Sequence, residues 1–139
     1  MISIPSDKYG HDLIEWLVKI SLSSEDKSSV DLLLRILKLD VVDRHDGEKI
    51  YQAKFSREEI DLILESKWCE SENLQLKAYC LDIISRYNKG TDRLNYLKAA
   101  SDTYFLLAEQ TRDYHFLCES VVKKLDIKKQ WLFFQKYAH

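Results

Sequence analysis

The sequence predicts an all-α protein: a bundle or short right-handed stack of about seven helices joined by short loops. Three observations carry that expectation. The 139 residues include only three glycines and one proline, too few for a turn-rich β-sandwich or a glycine-looped nucleotide-binding fold. Hydrophobic residues (45%) and charged residues (32%) alternate at helical rather than strand spacing. Serine or aspartate followed by acidic residues recurs just ahead of apolar stripes, as at helix starts.

The length suits one helical domain over residues 1–139, or the N-terminal part of a larger architecture. A net charge of −2 offers no global attraction to nucleic acid or an anionic membrane. Cys69, Cys80 and Cys118 are odd in number and widely spaced, which fits reduced thiols better than a disulfide framework. The start, Met1-Ile2-Ser3-Ile4-Pro5, has no basic region and no long apolar run, so a signal peptide is not expected. No stretch approaches the roughly 20 apolar residues that span a bilayer. The expected setting is cytoplasmic, with no membrane partner.

Each element has a local reason. Ser6 or Asp7 can cap a first helix running to about Ser21, with Leu13, Trp16, Leu17 and Ile20 on one face. Ser24, followed by Glu25 and Asp26, starts a second with Val30, Leu33, Leu34 and Leu37 facing inward. Residues 40–53 read as a loop around the Asp46-Gly47 turn signal, with a small hairpin from Leu39, Val41, Val42 and Ile50-Tyr51 as the alternative. Ser56-Arg57-Glu58-Glu59 is a capping-box pattern, with Phe55 placed as a hydrophobic staple, opening a helix that ends near Trp68 or Cys69.

Ser71-Glu72-Asn73 starts the fourth helix and Asp92 the fifth. Between them Gly90 can take the left-handed conformation that ends one helix, and Thr91 or Asp92 can cap the next. So short a loop sets the two helices of Ser71–Gln110 antiparallel and in contact. Thr111-Arg112-Asp113 breaks the pattern, a sixth helix covers about Tyr114 to Leu125, and Asp126 can cap a seventh.

On the fifth helix Ala100, Tyr104 and Ala108 recur every fourth residue, so that hairpin resembles tetratricopeptide-type helical repeats. That repeat's tryptophan and Leu-Gly are absent, and no second copy follows at its period. From Phe55 to about Gln110 the chain also resembles the amino-terminal helical region of uncharacterised bacterial proteins whose carboxy-terminal domain is HEPN-like. Ser56-Arg57-Glu58-Glu59 opens that pattern, and Leu76, Ala78, Asp82, Ala100 and Tyr104 fall in register. Tyr79 and Ser85 stand where the family has arginine and tryptophan. The family's Arg-Asn and His-Gly motif is missing, and Arg112 and His115 are too close together to replace it. The resemblance therefore implies the non-catalytic part of such a system, or a free-standing relative.

Candidate sites have plain structural readings beside them. His115 and Cys118 share a helix face, but a metal site or a cysteine nucleophile needs further groups. Cys118 is expected in the core and His115 at the surface or the core boundary. Asp40, Asp43, Asp46 and Glu48 fail the calcium-loop pattern, because Val42, Arg44 and Ala53 fall on ligand positions. Asp82 is expected to be a buried, helix-fixing carboxylate with Arg86 and Arg93 as its partners. No catalytic residue, metal or cofactor is expected.

The last segment is the most suggestive. Lys123, Lys124, Lys128, Lys129 and Lys136, read as solvated, interleave with Trp131, Leu132, Phe133, Phe134 and Tyr137. Ile127, Trp131 and Phe134 can face a core, but Leu132, Phe133 and Tyr137 fall around the rest of the helix. Lys128, Trp131, Leu132, Phe133, Phe134 and Tyr137 thus form a candidate interaction surface. The function expected is a non-catalytic scaffold that binds a protein partner or another copy of itself. The alternatives are a HEPN-like or defence-associated protein acting on RNA, and a nucleic-acid-binding module using the lysine-rich tail.

Overall fold

Among the described residues six helices make up the fold and no strand occurs. They are α1 (Gly10–Ser21), α2 (Lys27–His45), α3 (Arg57–Glu65), α4 (Leu74–Arg86), α5 (Gly90–Thr111) and α6 (Tyr114–Tyr137), with a 3-10 turn at Trp68–Glu70. The structure, a computed structural model, describes residues 3–45 and 54–137; the side chains of residues 40–45, Phe134 and Tyr137 lie outside that description. The all-α expectation holds, with six helices rather than seven. The chain falls into two compact units, Met1–Leu76 and Lys77–His139.

In the first unit α1 packs on α2. Leu13 and Leu17 are fully buried on α1, and Val30, Leu33, Ile36 and Leu37 on α2. Leu34, expected in this stripe, is half-buried, and Leu32 and Ile36 take its place. The start of α1 differs from expectation: neither Ser6 nor Asp7 caps it. Its first N–H, on Gly10, is instead taken by Gln75 Oε1 at 2.7 Å. Asp26, not Ser24, caps α2, accepting from the Ser29 N–H at 3.2 Å. The side-chain and then the backbone hydrogen bond from Ser29 hold the Asp26 carboxyl below its ordinary value.

Helix α2 continues to His45, so Leu39, Val41, Val42, Asp40 and Asp43 are helical rather than part of a loop or hairpin. This stretch contains neither glycine nor proline, and the breaker, Asp46-Gly47, comes only after it. Asp46, Glu48 and Ile50-Tyr51 lie outside the described residues.

The capping box of α3 is formed as expected. Glu59 N–H donates to Ser56 Oγ at 3.1 Å, and Ser56 N–H donates to Glu59 Oε1 at 2.9 Å. Burial alone would raise the Glu59 carboxyl, but Ser56 and the Arg35 guanidinium, 2.7 Å away, hold it below its usual 4.5. Arg35 also donates to the Lys54 carbonyl and lies 4.5 Å from the centre of the Phe55 ring. Helix α3 stops at Glu65, short of Trp68, because Lys67 turns to φ 58° and the chain passes into the 3-10 turn.

Asn73 joins two parts of this unit. Its Oδ1 caps α4 by accepting from the Leu76 N–H at 3.0 Å. Its amide nitrogen donates to the carbonyls of Pro5 at 2.6 Å and Lys8 at 2.9 Å, and the residue is fully buried. No other side-chain type of this size supplies one acceptor and two donors in that arrangement.

In the second unit the closest helix pair is α5 with α6. Buried Ser101 and Ser120 exchange hydrogen bonds, each hydroxyl donating to the other's carbonyl at 3.0 and 2.9 Å. Two small residues therefore bring the backbones of α5 and α6 together. Helix α4 meets α5 through the side chain of Tyr104. Gly90 is left-handed, φ 62°, but opens α5 instead of closing α4; Thr91 and Asp92 lie inside the first turn and do not cap it. Asn88 completes the end of α4 by donating to the Ile84 carbonyl at 2.9 Å.

Arg112, at φ 58°, closes α5 with its N–H on the Ala108 carbonyl, and Asp113 Oδ1 accepts from the His115 N–H to start α6. Asp126 does not open a seventh helix. With no glycine or proline between Tyr114 and Tyr137, the helix runs through it.

Asn73→Ala should remove a cap and leave two carbonyls without their donor. The expected loss is about 2–4 kcal/mol, larger than the ~1 kcal/mol for Ser56→Ala at the exposed box of α3. Urea unfolding of both variants checks the order, and equal losses would contradict the joining role of Asn73.

Candidate functional site

Two features of the second unit can carry function: a buried charged cluster linking α4, α5 and α6, and the outer face of α6. The cluster is centred on Asp82, 6% exposed on α4. Its Oδ2 accepts from the Tyr104 hydroxyl of α5 at 3.1 Å and faces Lys123 Nζ of α6 at 3.2 Å. Its Oδ1 lies 3.7 Å from Arg86 Nε, one turn along α4. Lys123 is 2% exposed and also reaches Glu119 Oε2 at 3.2 Å, with its ammonium 5.8 Å from the centre of the Tyr104 ring. Tyr79, Tyr104 and Phe116 surround the group, with ring centres 6.2–6.5 Å apart.

Asp82 is thus buried and ion-paired with Arg86, as expected from the sequence. Arg93 is not among its partners; the Nε of Arg93 is buried without a hydrogen bond. Lys123, expected in solvent, is its close cationic partner. The cluster holds two carboxylates and two cations, so its formal charges cancel. Burial first, then Asp82, raises the Tyr104 hydroxyl well above its ordinary value. That phenol stays protonated and serves as a hydrogen-bond donor. The arrangement fixes three helices, and its charged groups are already satisfied by one another.

The outer face of α6 is different. Trp131, Leu132 and Phe133 are 56%, 53% and 59% exposed, and Lys128 is exposed beside them. Phe134 and Tyr137 belong to the same helix, but their side chains are outside the described residues. The register explains this exposure. With Ser101 level with Ser120, Gly90 at the start of α5 falls level with Trp131. The rest of α6 extends past the end of α5, and nothing on that helix can cover it.

Further back, Val121, Leu125 and Tyr114 are also exposed, and so is Cys118, which was expected in the core. His115 is half-buried, its ring centre 5.7 Å from that of Phe116. Beside α6, Asp102, Phe105, Leu106 and Lys124 line an open groove of about 290 Å³, with Lys124 Nζ 5.6 Å from the centre of the Phe105 ring.

Of the other thiols, Cys80 is buried, and burial followed by Glu70 pushes the Cys69 thiol up to about 11, which keeps it protonated. Among the described residues no three His, Cys, Asp or Glu side chains come together to hold a metal ion. Nor, among those residues, is any helix long and apolar enough to cross a membrane.

No protein-family model, no curated protein and no solved structure matches the chain. The functional reading therefore rests on its own geometry.

Lys123→Met should cost about 3–5 kcal/mol, because it leaves buried Asp82 and half-buried Glu119 without their shared cation. Adding Asp82→Asn should recover part of that loss in urea unfolding; no recovery would show that Lys123 acts only by filling space. Tyr104 sets a second expectation. The folded state holds its proton more tightly than the unfolded chain, so its contribution is complete below the ordinary value of 10.0 and is lost as pH rises from there toward the raised folded value. Tyr104→Phe should flatten the decline in stability above pH 10, and an unchanged slope would refute that assignment.

Proposed function

We propose that this chain is a non-catalytic helical interaction module whose working surface is the outer face of α6. The observation that carries this reading is the exposure of Val121, Leu125, Trp131, Leu132 and Phe133 on one helix. Contiguous apolar and aromatic side chains of this kind gain most when a partner removes them from water, at roughly 1.5–3 kcal/mol for each one fully buried. The buried side of the same helix is held by Ser101–Ser120 and Asp82–Lys123 contacts, so the surface is presented on a fixed support. Support of that kind lowers the ordering cost of association.

The charged cluster favours a scaffold over an enzyme. Catalytic carboxylates and lysines need an accessible substrate position beside them, whereas Asp82 and Lys123 are buried against each other. A nucleic-acid reading loses Lys123 from its set of solvated lysines, and the exposed aromatic residues are accompanied by Val121 and Leu125, which offer a nucleic acid neither charge nor hydrogen bonds.

A photo-crosslinking side chain at Leu125 or Leu132 should give one discrete adduct with another protein in cells that express the chain. The control is Leu22, 90% exposed at the end of α1. No adduct from α6, or the same adducts from Leu22, would overturn the proposal.

A further inference from the structure

The proposed α6 surface has a regular geometry that specifies its partner more closely. The inward stripe of α6 is Phe116, Ser120 and Lys123, all buried, continued by half-buried Ile127 and Gln130. The outward stripe is Tyr114, Cys118, Val121, Leu125, Lys128 and Leu132, all exposed. Its spacing alternates four and three residues from end to end, the seam by which one helix packs along another. A stripe this narrow suits a helix; insertion into a lipid surface uses a broader apolar face.

Charge sets the second condition. Beside this seam Lys124 and Lys129 are exposed, Lys128 lies within it, and Lys136 follows. Among the described residues of α6 no carboxylate is exposed: Glu119 and Asp126 are half-buried, and Glu119 is held by Lys123. A second copy laid α6 against α6 would set these lysines against lysines, which disfavours pairing. An occupant with carboxylates along both flanks would meet every one of them.

Resting on the interaction reading above, we propose that the outward stripe of α6 is a docking seam for an acidic amphipathic helix of another protein, with apolar residues at heptad spacing and Glu or Asp on its flanks. Tyr114, Val121, Leu125 and Leu132 receive the apolar positions, and Lys124, Lys128 and Lys129 receive the carboxylates. Recognition is then electrostatic in its choice of partner and apolar in its grip.

The test uses the full chain and two labelled synthetic three-heptad helices with leucine at both seam positions, one flanked by glutamates and the other by lysines. Fluorescence anisotropy should show one-to-one binding of the glutamate peptide, about tenfold or more tighter than the lysine peptide and weakened by salt. The triple variant Lys124→Glu/Lys128→Glu/Lys129→Glu changes only exposed side chains and should reverse that preference. Leu125→Glu should abolish binding of the glutamate peptide.

Failure of both peptides to bind, equal binding of the two, or a preference that survives the charge reversal would overturn the proposal. So would a dimer in sedimentation that Leu125→Glu dissociates, which would make a second copy the occupant. A Trp131 fluorescence shift on anionic phosphatidylserine vesicles, without peptide binding, would make it a lipid surface. Photo-adducts at Leu132 together with no peptide preference would keep the interaction reading and remove only the acidic helix.

Discussion

The inward position of Lys123 is the constraint on which the second unit depends. A lysine ammonium is seldom buried, and here it is held by two carboxylates and lies beside an aromatic ring. Asp82 brings α4 to this point, Tyr104 brings α5, and Glu119 lies one turn back on α6. Such a group adds little net stability over an apolar core of the same shape. Its effect is on register, since sliding or rotating α4 or α6 would leave a charge buried without its partner, and moving α5 would take the Tyr104 hydroxyl from Asp82.

That constraint has a consequence on the opposite side of α6. Successive helical residues are about 100° apart, so Val121 and Leu125, each two residues from Lys123, point roughly 160° away from it. Turning Lys123 and Ser120 inward therefore turns Val121 and Leu125 outward. Over residues 120–125 the buried positions Ser120 and Lys123 are polar while Val121 and Leu125 are apolar and exposed, the reverse of the usual surface helix. An apolar outer face enforced by a buried ion pair is not a simple excess of hydrophobic residues. The same contacts that hold the fold orient the surface.

Much of the fold was legible because its signals are local. The Ser56–Glu59 box, the helix face of Leu13 and Leu17, the left-handed Gly90 and the burial of Asp82 each depend on residues a few positions apart. The misread features depend on distant partners. Gln75 takes the first N–H of α1 across 65 residues, so the serine and aspartate nearer by are not used. Nothing near Lys123 in the sequence announces that Asp82 will reach it, and a lysine in a run of lysines reads as solvated. Ser101 and Ser120 carry no local signal for the same reason, because a serine becomes such a contact only when a second serine faces it.

The candidate surface was legible in part. Trp131, Leu132 and Phe133 stood out because one core face could not cover them, and they are exposed. The four-three stripe from Tyr114 to Leu132 was hidden by dividing α6 at Asp126. Once the helix is continuous, Val121 and Leu125 join Leu132 along one line, and Cys118 moves from an expected core position to the outside. The last turns then have a reason to extend past the start of α5. A helix that projects beyond its own support leaves an apolar end for which the hairpin supplies no cover, and a seam of constant spacing leads along the helix to that end.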